Sequence, residues 1–187
     1  MIKEYSSTIY NKAIFSEDKN HRYLLERVWD ENKAIATVIM LNPSYAGHIK
    51  VDNTTSEIIN YLVDLELDCG DGEIITFGGL KVVNIFSYIV TKSKELKNID
   101  YYELFDSYTD NEIVKAFEES KIIIIAWGKE DKKLYRERKN KIRSLLKQKY
   151  SDKVFYFINP DGSPSSHPSI MQNGSKIKEY DFTSKDI

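Results

Sequence analysis

Four stretches of the chain, residues 34–41 (AIATVIML), 80–86 (LKVVNIF), 121–126 (KIIIIA) and 153–158 (KVFYFI), are nearly continuous in apolar side chains. A strand with one face in water alternates apolar and polar residues, whereas a strand covered on both faces of a parallel sheet does not. These runs predict an α/β fold built on a buried, mainly parallel sheet of four strands.

The segments between them carry helical patterns. Residues 55–67 place Ile58, Ile59, Leu62 and Leu65 at helical spacing, behind a cap among Asp52, Asn53 and Thr54. Residues 110–120 put Ile113, Val114 and Phe117 on one face, and residues 131–150 do the same with Leu134, Ile142, Leu145 and Leu146. Strand and helix thus alternate, which predicts βαβ units with right-handed crossovers and a three-layer sandwich. Residues 13–15 and 23–29 flank a polar turn, predicting a hairpin over about residues 11–30 at the sheet edge. Residues 68–79 read as a Gly-rich loop interrupted by Ile74-Ile75, and residues 174–187 as a flexible polar tail. The 187 residues carry no internal repeat and fit a single domain, 1–187.

Composition narrows the function. A formal net charge of −2 excludes a polycation, so nucleic-acid affinity would need a local patch. The single cysteine, Cys69, cannot form an internal disulfide and reads as a small core residue in a reducing compartment. With three histidines and that one cysteine, neither a metal cluster nor a cofactor is expected. The start, Met1-Ile2-Lys3-Glu4-Tyr5, lacks a signal-peptide pattern, and the apolar run 122–127 is far shorter than the ~20 residues that cross a bilayer. A cytoplasmic protein without membrane contact is the expectation.

Open parallel sheets bind ligands outside the carboxyl ends of their strands. The first strand is followed there by Asn42-Pro43-Ser44-Tyr45, and the second ends with Asn84 before Phe86. The third leads into Trp127-Gly128-Lys129, and the fourth into a loop carrying His167-Pro168-Ser169. Each piece alone has a plain structural use. Asn-Pro is a common exit from a strand, Asn84 can satisfy backbone groups, and Trp127-Gly128 can be a core aromatic before a turn. His167 differs, because a proline-restricted loop holds its ring still for presenting one nitrogen to a ligand. The four polar strand ends together form the candidate site.

In this order the residues resemble the uracil-DNA glycosylase superfamily, where a first-strand Asn-Pro or Asp-Pro loop, a strand-end asparagine, an apolar run into Trp-Gly and a late His-Pro-Ser recur. The counterparts are Met40-Leu41-Asn42-Pro43-Ser44, Val82-Val83-Asn84, Ile124-Ile125-Ala126-Trp127-Gly128-Lys129 and His167-Pro168-Ser169. A closer resemblance is to an uncharacterised bacterial and phage family, domain of unknown function 1643. Its pattern includes Arg22-Tyr23, Met-Leu-Asn-Pro-Ser, an acid and threonine spaced as Asp52 and Thr55, Val-Val-Asn-Ile-Phe, Ala-Trp-Gly and a late His-Pro.

The resemblance implies roles. Asn42 would sit where active enzymes orient the attacking water, and His167 would stabilise charge on a departing base. Asn84 would bind the Watson–Crick edge of a flipped base, with Tyr45 or Phe86 as its aromatic floor. Ile170 and Met171 would form the apolar wedge that fills the vacated stack. The most efficient glycosylases hold a carboxylate at the Asn42 position, and an amide cannot take a proton from water, so general-base help of roughly 10²–10⁴-fold is missing. Asp52 can substitute, but capping the following helix is its plainer use.

Positive charge is concentrated in residues 129–149, where seven Lys and three Arg outweigh two Glu and one Asp. A solvated helix face is the ordinary reading of such a segment. Two functions are therefore expected in competition. One is a non-catalytic or weakly active glycosylase-like protein that binds nucleic acid, as a single strand or flipped base, or an acidic inhibitor protein imitating DNA. The other is an active glycosylase excising uracil or a modified base. No glycine-rich phosphate loop follows any strand, which sets aside P-loop and Rossmann chemistry.

Overall fold

A computed structural model of the chain describes residues 2–68, 70, 72–90, 92–129 and 133–183, with backbone alone at Ser93, Lys133 and Leu134. Cys69 and the side chain of Leu134, both assigned to the core from sequence, lie outside the described residues.

The four apolar runs form the parallel heart of one mixed sheet: β3 (Ala34–Met40), β5 (Ile74–Asn84), β6 (Ile122–Ile125) and β7 (Val154–Ile158). β3 pairs in parallel with β5 on one side and β6 on the other, and β6 continues to β7. Every residue of β6, Ile122 to Ile125, is buried. At roughly 1.5–3 kcal/mol per fully buried aliphatic side chain, this short strand makes a large contribution to the core.

Among the described residues the sheet has nine strands, not the four expected. Five antiparallel strands extend the parallel core. β1 (Tyr10–Phe15) and β2 (Arg22–Val28) form the expected N-terminal hairpin, which joins the sheet through β2 and β5. β4 (Glu66–Asp68) also pairs with β5. β8 (Pro164–Ser165) and β9 (Lys176–Glu179) both pair with β7.

Two expectations fail for identifiable reasons. The supposed loop 68–79 is largely strand, since β5 begins at Ile74 and runs through Gly78-Gly79. The glycine at 78 marks a close backbone approach, because a Cβ there would stand 1.9 Å from the Asp30 carbonyl oxygen. The Gly78 carbonyl accepts from the N–H groups of both Trp29 and Asp30. The supposed flexible tail contains β9, whose polar KIKE sequence has little strand signature of its own; it completes the ladder of β7 and adds Ile177 to the core.

Among the described residues three α-helices cover the sheet. α1 (Asn53–Asp64) packs Ile58 and Leu62 on one face, with Val38, Met40, Val82 and Ile124. α2 (Ser107–Glu118) and α3 (Lys133–Lys149) pack Ile113, Phe117, Ile142 and Leu146 on the other, with Ile39, Val83 and Ile125. Helices therefore flank both faces, giving three layers. The basic stretch 129–149 is partly structural. Arg138 and Lys139 are buried, Arg138 pairs with Asp110 and Lys141 bonds the same carboxylate.

In the order β5-β3-β6-β7 the chain leaves β3 for one neighbour through α1, and returns past it through α2 to β6. The crevice of the sheet thus lies beyond the carboxyl ends of β3 and β6.

Candidate functional site at the sheet switch point

A cavity of about 400 Å³ occupies that crevice, lined by Met40, Leu41, Asn42, Ser44, Asp52, Thr54, Val90, Trp127, Gly128, Lys129 and His167. The volume falls within the roughly 300–1,000 Å³ typical of small-molecule sites. Met40, Leu41 and Trp127 give it an apolar part, and the remaining polar groups converge from the first, third and fourth parallel strand ends.

Beyond β3, Asn42 is fixed by its amide Nδ2, which donates to the carbonyls of Val90 at 2.9 Å and Pro43 at 3.1 Å. Its Oδ1 takes no part in these bonds and remains an acceptor. Ser44 donates to one carboxylate oxygen of Asp52, while the other accepts the Thr55 N–H at 2.8 Å and caps α1. Burial works against the ionised Asp52, but the bonds from Ser44 and Thr55 and the Arg22 charge outweigh it and hold the carboxyl below its usual range. Asp52 is thus both the helix cap and an ionised wall of the cavity.

Under this loop lie two arginines. Arg22 and Arg27 are 2% and 1% exposed. Arg22 donates to the Ala46 carbonyl at 3.0 Å and to Oδ1 of Asn84 at 3.3 Å, and Arg27 donates to the Gly47 carbonyl. Burial pulls Arg22 down to about 10, with Asp52 opposing the fall and Arg27 adding to it. Arg27 is lowered for the same first reason.

Beyond β6, Trp127 is fully buried and Gly128 turns the chain at φ 78°, a left-handed conformation that favours glycine. The Gly128 N–H donates to the Ser166 carbonyl and its own carbonyl accepts from Lys139, both at 2.7 Å. This ties the third strand end to the loop of the fourth. The Arg143 guanidinium lies 5.4 Å from the Trp127 ring centre, and the indole Nε1 is buried without a protein partner.

His167 caps a short 3-10 turn, Pro168–Ile170. Its Nδ1 accepts the Ser169 backbone N–H at 3.2 Å and lies 2.8 Å from the Ser169 hydroxyl. A ring nitrogen that accepts a backbone N–H carries no proton, so the neutral ring holds its hydrogen on Nε2. Burial lowers the His167 pKa, against the raising influence of Glu57 and Asp52. The cavity lining therefore combines a neutral imidazole with an ionised carboxylate.

The sequence-derived residues divide clearly. Asn42, Ser44, Asp52, Trp127, Gly128, Lys129 and His167 line one cavity. Asn84 does not: it is buried beneath the loop, with Oδ1 held by Arg22 and Nδ2 unpartnered. Phe86 is no aromatic floor either, being fully buried against Tyr101, Phe105 and Tyr135 in the core beside α2 and α3. Tyr45 is 65% exposed and is not among the residues that line the cavity. Pro43 and Pro168 are buried supports, and Thr55 is a buried part of the α1 cap. Of the expected wedge, Ile170 is exposed but Met171 packs into the core beside α1.

Sequence reasoning missed Met40, Leu41, Thr54 and Val90 as lining residues and Arg22 and Arg27 as the base of the loop. Arg22 had a signal, its place in the Arg-Tyr pair; Arg27 had none. Among the described residues no group of three or more acidic, histidine or cysteine side chains is placed to hold a metal, and no helix is long and apolar enough to cross a membrane.

Residues 22–169 match the family described as protein of unknown function (DUF1643). No curated protein and no solved structure matches the chain. The matched span begins at Arg22 and ends at Ser169, so it includes the cavity from its buried arginine support to the partner of His167.

Proposed function

The chain belongs to the family of unknown function DUF1643, and from the chemistry of the cavity lining we propose that the switch-point cavity is a nucleobase site of the uracil-DNA glycosylase type. It takes a base from a single strand, or one flipped from a duplex, and excises it poorly or not at all. The observation that carries this reading is the Ser169 backbone N–H donated to Nδ1 of His167. With Nδ1 held by Ser169, the ring offers Nε2–H to an acceptor such as a base carbonyl, without presenting a positive charge. Asn42 Oδ1 supplies an acceptor in the same cavity. Poor excision follows from Asn42 being an amide, and from Asp52 already accepting one hydrogen bond on each oxygen.

Efficient excision is the second reading, and Asp52 favours it, because it brings into the cavity the carboxylate that the Asn-Pro loop lacks. Single-turnover assays on uracil-containing single- and double-stranded oligonucleotides, alongside calorimetry with deoxyuridine, separate the two. Binding that is lost in His167→Ala, without cleavage, supports the first. Cleavage abolished by Asn42→Ala, Asp52→Asn and His167→Ala establishes the second. Absence of any binding to free bases, nucleosides or oligonucleotides refutes both.

A further inference from the structure

The loop that follows β3 is exposed where its neighbours are not. Tyr45 is 65%, Ile49 82% and Val51 46% exposed, on a segment whose ends, Ser44 and Asp52, line the cavity. Single exposed apolar residues are ordinary on a protein surface, but three within seven positions at a cavity rim call for a partner.

The shape of this loop is fixed from beneath. Arg22 holds the Ala46 carbonyl and Arg27 holds the Gly47 carbonyl. The Gly47 N–H closes a turn on the Lys50 carbonyl at 3.1 Å, and the Ser44–Asp52 bond joins the two ends. Burying two guanidinium groups, each with an Nε lacking a protein partner, is costly. A solvent-exposed surface loop needs no such support merely to connect β3 to α1. The support makes sense if the exposed side chains must be held in one arrangement before a partner arrives, which reduces the entropy lost on binding.

Charge indicates the partner. No acidic side chain occurs from Asn42 through Val51, whereas His48 and Lys50 lie on the loop and Lys129 on the opposite lining of the cavity. The next acid along the chain, Asp52, is opposed by the charges of Arg22 and Arg27. Aromatic and aliphatic side chains interleaved with cations are the pattern that binds stacked bases along a phosphate chain.

We propose that residues 45–51 form a preformed platform for single-stranded nucleic acid, on which nucleotides flanking the one in the cavity lie. Tyr45 and Ile49 contact bases, and His48 and Lys50 face the phosphates. This rests on the reading that the cavity holds a base.

The test uses the full chain and a fluorescently labelled, mixed-sequence deoxyuridine-containing strand of about twelve nucleotides, within the usual span of such grooves. Anisotropy measures strand binding, and calorimetry measures free deoxyuridine. Tyr45→Ala is expected to weaken strand binding about tenfold or more, the usual size of one lost stacking contact. Ile49→Ala weakens strand binding while leaving deoxyuridine affinity unchanged, and Lys50→Glu makes strand binding less sensitive to salt. These positions are exposed, so the thermal midpoint stays near that of the parent chain. Strand binding that ignores all three variants but disappears in His167→Ala overturns the platform and leaves the cavity reading intact. Deoxyuridine binding with no strand binding does the same. If light scattering instead shows a dimer that Ile49→Asp dissolves, with no strand bound, the loop is a contact between copies and the platform is refuted. Failure of both ligands refutes the platform and the cavity reading together.

Discussion

The backbone N–H of Ser169 donates to Nδ1 of His167 at 3.2 Å, which places the hydrogen of the neutral imidazole on Nε2. Two residues of a proline-containing turn thereby settle what the ring offers to the cavity. Burial, the largest influence on this group, also keeps it neutral to lower pH than an ordinary histidine.

A nitrogen-detected NMR titration should therefore show His167 as the Nε2–H tautomer, with a midpoint below the usual value of about 6.5. The sign for stability follows. Between the ordinary and the lowered values the unfolded chain takes up a proton that the folded chain refuses, so stability falls as pH drops through that window. An Nδ1–H tautomer at neutral pH would remove the basis of the base-carbonyl contact.

Asp52 caps α1, accepts from the Ser44 hydroxyl and lies within electrostatic reach of the buried Arg22 and Arg27. Asp52→Ala should cost about 1–2 kcal/mol in urea unfolding, chiefly from the lost cap and the Ser44 hydroxyl left without its acceptor. Asp52→Asn retains an acceptor for the Thr55 N–H and should cost less. Because its folded pKa lies below the ordinary carboxylate value, the stability from Asp52 is complete above that ordinary value and is lost as pH falls through the lowered one.

Arg22 spans the Ala46 carbonyl and Asn84 Oδ1 with separate guanidinium nitrogens. Lysine keeps a charge but not the planar fork, so Arg22→Lys should lose about 1–3 kcal/mol of stability through the groups left unpaired. Ligand affinity should fall with it, since the loop carrying Ser44 and Asp52 loses its base. Unchanged stability and affinity in this variant would show that the loop holds itself.

Glycines 78 and 47 make a contrasting pair. A Cβ at Gly78 meets the Asp30 carbonyl oxygen at 1.9 Å, whereas at Gly47 its nearest neighbour is the Phe15 ring at 3.9 Å. Gly78→Ala should therefore destabilise by about 3 kcal/mol or more, or abolish folding, as overpacking against rigid backbone does. Gly47→Ala should stay within about 1 kcal/mol of the parent chain.

The parallel core was legible because its signal is local and dense. The runs at 34–41 and 121–126 are apolar at nearly every position, and burial on both faces is the usual reason for that. The cap at Asp52 was legible for the same reason, since a short acidic side chain three residues before Thr55 satisfies that N–H by geometry alone. The N-terminal hairpin at one edge was legible as well, whereas the rest of the sheet's periphery was not. β9 reads KIKE and looks like a tail until β7 offers it an unpaired ladder. Gly78 reads as a turn residue until Asp30 is brought against it.

By itself the sequence determined the four central strands, the helices between them and the strand ends from which a site would be assembled. Local periodicity and turn chemistry are short-range properties and can be read along the chain. Tertiary structure alone decided which of those strand-end residues meet. It turned Asn42, Asp52, Trp127 and His167 onto one cavity, sent Phe86 into the core and placed Asn84 under Arg22. The reason is that facing depends on pleat, twist and long-range packing, which set a side chain's direction only once its neighbours from distant segments are in place.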